Sequence, residues 1–100
     1  MASSRIQQEL TKLEAELKHL EAEYNLFFSG RLPRPPLEAR SRVAARIKQY
    51  DRAHISNTGD RFRFTTLQST FAVLADLWDR ALRAREEGRP GPFVHKRPPE

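Results

Sequence analysis

One hundred residues, 38% hydrophobic and 31% charged, suit one small domain, and no second core fits in that length. A mean hydropathy of −0.73 and the lack of any apolar run near ~18 residues argue against a membrane span, and with no cysteine there is neither a disulfide framework nor thiolate chemistry. The formal charge is +5, unevenly spread: residues 1–30 carry three basic against five acidic side chains, and residues 31–100 carry fifteen against eight. Such asymmetry points either to an anionic partner or to two halves that neutralise each other on folding.

The first stretch, Ser4 to Phe28, sets the organisation. Ile6, Leu10, Leu13, Leu17, Leu20, Tyr24 and Phe27 recur with alternating gaps of four and three, a heptad seam. Its flanking positions are Gln7, Glu9, Glu14, Glu16, Glu21 and Glu23, so five of six are acidic. A parallel or antiparallel homodimer would set glutamate against glutamate, which is destabilising. The seam therefore calls for a basic counterpart, either in this chain or in another molecule. Ser3 or Ser4 is placed to cap the helix, and Gly30 to end it in the left-handed conformation. Met1 to Ser4 run straight into this polar stretch, so no secretory leader is expected and the expected compartment is the cytoplasm.

Residues 29–36 form a Pro-rich linker. Pro33 and Pro36 make a PxxP, but Glu38 stands where an SH3-type ligand needs a basic residue, so a plain connector is expected. Helix 2 is expected from Pro36 to about residue 55, with Leu37, Val43, Ile47 and Tyr50 as a thin apolar stripe among Arg40, Arg42, Arg46, Lys48 and Arg52. Asn57 to Asp60 read as a turn, with Gly59 at positive φ and Asp60 as a cap. Helix 3 is expected over about 61–87. Leu67, Phe71, Leu74, Trp78 and Ala81 repeat by four and three, joined by Phe64, Leu77 and Leu82, which marks this helix as the centre of the core. Residues 89–100 read as an extended or disordered Pro-rich basic tail, in which Phe93-Val94 is an apolar pair able to fold back or dock. The fold class expected is all-α: residues 1–88 as one three-helix bundle or antiparallel helical hairpin with a long coiled-coil-like first helix.

Catalytic chemistry is thin. The four glycines form no phosphate loop. Glu16-x-x-His19 has the spacing of a helical metal pair, but it occurs once and off the seam, so a solvated face is expected and no metal or other cofactor. Asp76 with Arg80, and Asp79 with Arg83, are read as ion pairs one helical turn apart. The expected function is a non-enzymatic protein-interaction module, with Leu10, Leu13, Glu14, Leu17, Leu20, Glu21, Arg61, Arg63 and Trp78 as partner-binding residues. Its partner would be another protein presenting a basic and apolar helix or surface, with self-association as a variant and no membrane. The alternative is nucleic-acid binding through Arg40, Arg42, Arg46, Arg61 and Arg63 as phosphate contacts. Against it, lysine is scarce and acids interrupt the basic runs.

Overall fold

A computed structural model describes residues 4–89 and Gly91. Among them are three helices and no strand: α1 Arg5–Phe28, α2 Leu37–Arg52 and α3 Thr58–Glu86. The all-α bundle expected from periodicity is the one observed.

Both ends of α1 follow from single residues. The Ser4 hydroxyl accepts a hydrogen bond from the Gln7 amide at 3.2 Å, and the Gln7 side chain accepts one from the Ser4 amide, a reciprocal capping box. At the other end Gly30 takes φ +85°, and the Arg31 amide reaches back to the Leu26 carbonyl at 2.8 Å. Only glycine adopts that φ at low cost, so the helix stops there. α3 ends the same way, with Gly88 at φ +70° and the Arg89 amide on the Ala84 carbonyl at 2.8 Å.

The α2–α3 connection departs from expectation. α2 ends at Arg52, because Ala53 is extended and Ile55 turns inward to be buried at the end of the bundle. α3 starts at Thr58, three residues early, since the Asn57 side chain caps it by accepting from the Asp60 amide at 2.9 Å. Gly59 thus lies inside the first helical turn, and among the described residues only Gly30 and Gly88 have positive φ. Asp60 is the acid of that first turn, where the partial positive charge of the helix end favours it.

The helices run up, down and up. Tyr50 meets Glu9 and Arg40 meets Tyr24, so α2 is antiparallel to α1; Arg63 meets Thr11 and Trp78 stacks on Tyr24, so α3 is parallel to α1. Here the expectation that α3 forms the centre is corrected. α1 packs against both other helices. Leu10, Leu13, Leu20 and Tyr24 have no exposed surface, and Leu17 and Phe27 have almost none. On α3, by contrast, Phe71, Leu74, Leu77 and Leu82 are only half-buried. A narrow seam with α2 on one flank and α3 on the other is covered from both sides, and that makes α1 the axis.

Beyond α3, Gly91 lies back against Ala81 and Ala84. The pair Phe93-Val94 and the rest of the expected tail fall outside the described residues. No described helix is long and apolar enough to cross a membrane.

Candidate interaction surface

Three of the five acidic flank residues of α1, Glu9, Glu14 and Glu16, find counterparts on α2 or α3. Toward α2, the Tyr50 hydroxyl donates to Glu9 at 2.7 Å, and the Arg46 Nε stands 3.3 Å from Glu16. Toward α3, Arg63 donates to the Thr11 hydroxyl at 3.0 Å and lies 3.9 Å from Glu14. The hydrogen bond from Tyr50 holds the Glu9 carboxyl below its ordinary range. Burial, reinforced by that carboxylate, pushes the Tyr50 phenol up. Leu10, Leu13, Leu17 and Leu20, named above as partner-binding residues, are therefore core residues covered by the chain's own helices. Glu14 and Glu21 remain half-exposed at the rim facing α3.

Trp78 is also internal. Its ring lies on Tyr24 with centroids 4.1 Å apart and planes 10° from parallel, and the Arg40 guanidinium sits 5.8 Å from its centroid. Arg40 in turn donates two hydrogen bonds to Asp79, at 2.8 and 3.0 Å, and a third to the Tyr24 hydroxyl. This fork joins α2 to α3 over the aromatic stack. It lowers the Asp79 carboxyl and raises the Arg40 guanidinium, hydrogen bonding being the largest cause of each shift. Of the two expected ion pairs within α3, Asp76–Arg80 forms at 3.1 Å, whereas the hydrogen bonds of Asp79 go to Arg40 and Arg83 adds only a weaker field.

The basic residues divide accordingly. Arg40, Arg46 and Arg63 face acids of their own chain, while Arg42 and Arg61 are exposed with no ion pair among the described residues. Glu16 faces Arg46, and His19 faces Glu23 at 3.1 Å, so the Glu-x-x-His pair is split between two different partners. Among the described residues no cluster of three His, Cys, Asp or Glu is placed to hold a metal. His54 lines a 260 Å³ surface cleft with Asp51 and Arg61, and no side-chain hydrogen bond joins those three.

What the sequence reading missed lies on another side of α3. Phe62, Thr66, Thr70, Val73, Leu77, Ala81 and Ala84 follow one another at gaps of four, four, three, four, four and three, a second stripe beside the core-facing one. Phe62 is 74% exposed and Val73 68%, Leu77 is half-buried, and Ala81 and Ala84 are covered, at 4% and 5%. At its open end a groove of about 190 Å³ separates α1 from α3, lined by Glu14, Phe62, Arg63, Thr66 and Leu67. The signal was present in the spacing. Threonines at two of seven positions kept it from reading as apolar. Comparison with models of known protein families, with curated proteins and with solved structures finds nothing similar to this chain.

Proposed function

We propose that the chain is a non-catalytic protein-interaction module whose partner docks on the second stripe of α3. The observation that carries this is the alignment of Phe62 and Val73, both more than two-thirds exposed, with Leu77 on one line of a well-capped helix. Single exposed apolar residues are ordinary on any surface; an ordered row of them beside a groove is how helix-in-groove recognition is built. Glu14 and Arg63 at the groove edge, and Glu21 further along α1, supply polar selectivity around the apolar centre, as a polar rim does. The binding surface thus keeps the rim residues named from sequence and replaces the buried leucines with α3. No cofactor enters this reading, and none of its steps makes or breaks a bond.

Photo-crosslinking tests it. A benzoylphenylalanine placed at Phe62 should join the chain to one defined protein, and the same group at Arg52, an exposed position on α2, should not. Val73→Asp in the same photo-labelled protein should abolish that product while leaving the melting temperature unchanged. Equal capture from Arg52 would overturn the assignment. Retention of the purified protein on mixed-sequence DNA or RNA at about 0.15 M salt would instead favour the exposed arginines Arg42 and Arg61 as phosphate contacts.

A further inference from the structure

We propose that the occupant of the second α3 stripe is a second copy of this chain, packed antiparallel on the same stripe about a two-fold axis between Ser69 and Thr70. The inference rests on the interaction reading above and names its partner. The open part of the stripe runs from Phe62 to Leu77, because Ala81 and Ala84 beyond it are covered. Its midpoint falls between Ser69 and Thr70, both exposed and both small enough to let two helices approach closely.

Turning a copy over about that midpoint sets each residue opposite the one equally far on the other side. Phe62 then meets Leu77 of the copy, and Thr66 meets Val73. At 3.6 residues per turn these four point within about 30° of one direction, so the turned copy presents the same face. A stripe that matches itself in this way is what a two-fold interface requires.

Charge selects the antiparallel arrangement. α1 runs parallel to α3, with Tyr24 level with Trp78 and Glu14 beside Arg63 and Leu67. Lys18, four residues after Glu14 and three before Glu21, stands between them on the rim facing α3. On that scale Glu14 lies about two residues before the axis and Lys18 about two after it, so each faces the other's counterpart on the copy. Arg63 and Glu21 of the copy come level to within about 3 Å. Lys18 and Glu21 have no ion pair among the described residues, and Glu14, 3.9 Å from Arg63, is half-exposed. A parallel pair would instead set Glu14, Lys18 and Glu21 each against its own kind, the repulsion that also counts against self-pairing of the α1 seam.

The absence of cysteine makes a clean test of association and register. In the purified protein at millimolar concentration under a glutathione buffer, Thr70→Cys, beside the axis, should form a disulfide-linked dimer. Thr66→Cys alone should not, because its counterpart is displaced by about 10 Å along the helix, beyond disulfide reach. Mixed with Val73→Cys it should link. Glu14→Lys should weaken self-association about 10-fold at low salt, and adding Lys18→Glu should restore it. A chain that sediments as a monomer at millimolar concentration, or efficient linking of Thr66→Cys to itself, overturns the proposal. If the chain is monomeric and the photo-reactive group at Phe62 captures a different polypeptide, this inference fails and the interaction reading stands. If that group forms no product with either, both fail.

Discussion

The chain carries two rows of residues with nearly the same helical spacing, one on α1 and one on the outer side of α3, and their fates are opposite. On α1 every seam position from Leu10 to Phe27 is buried, with Glu9, Glu16 and Glu14 of the acidic flanks answered by Tyr50, Arg46 and Arg63. On α3, Phe62 and Val73 stand in the open. A heptad row states that a helix face will be covered. It is the flanking charge that states by what: five glutamates around the α1 row select an arginine-bearing neighbour, and this chain supplies one. The α3 row has threonines within it and charges of both signs at its edges, among them Arg63, Asp76 and Arg80, so it leaves the choice of cover open.

The largest test of that contrast compares one residue from each region. Trp78→Ala removes a fully buried ring stacked on Tyr24 and should cost about 3–5 kcal/mol in urea unfolding, whereas Val73→Ala should stay within about 0.5 kcal/mol. Comparable losses would erase the distinction between the two rows.

A smaller effect is expected at the fork joining α2 to α3. Asp79→Asn leaves Arg40 with a neutral acceptor; because the carboxylate side chain is 51% exposed, the loss should be about 1 kcal/mol or less. The pH dependence has a definite sign. The Asp79 and Glu9 carboxyls are lowered in the folded chain, so their contribution is present above the ordinary carboxylate range and is lost as the pH falls through their depressed folded values. The Tyr50 phenol is raised, so its contribution is present below the ordinary phenol value, near 10, and is lost as the pH rises through the folded one. Thermal melts across pH should show both limbs. Tyr50→Phe should remove the alkaline limb and weaken the acid one. An alkaline limb unchanged in that variant would mean that another group carries it.

The smallest effect belongs to the glutamate flanks. Changing Glu14, Glu16, Glu21 and Glu23 to glutamine should lower the melting temperature at low salt and much less at high salt, since exposed pairs contribute only tenths of a kcal/mol each and are screened. A shift equal at both salt levels would locate their role in packing instead.

Much of the fold was legible, for reasons that can be named. α1 was readable over most of its length because its non-seam residues are mostly polar, leaving one face for burial, and because Gly30 marks its end, whereas the cap stood open between Ser3 and Ser4 and the part of Gln7 in it was not read. The start of α3 was not. Asn57 and Asp60 are both good caps, and the choice was settled by tertiary structure, with Ile55 drawn inward and the helix beginning directly after it. The centre was misplaced because α3 carries as many large apolar residues as α1, nine each, with the one tryptophan among its nine. Richness does not rank burial when one helix has neighbours on two sides. Asp79 has two arginines within reach, Arg83 one turn away and Arg40 on another helix, and spacing alone shows only the first. The second α3 stripe was hidden by Thr66 and Thr70, whose methyl groups present apolar surface under a polar residue name.

Trp78 gives the molecule its own optical gauge. It is the one tryptophan of the chain, stacked on the Tyr24 ring with the Arg40 guanidinium 5.8 Å from its centroid, and with no acceptor for its indole N–H among the described residues. Its emission should be blue-shifted in the native state and move to the red when α1 parts from α3. Fluorescence of the unlabelled protein thus follows the joining of residues far apart in sequence. Circular dichroism follows the helices themselves. Where the two signals separate during unfolding, the helices outlast their packing.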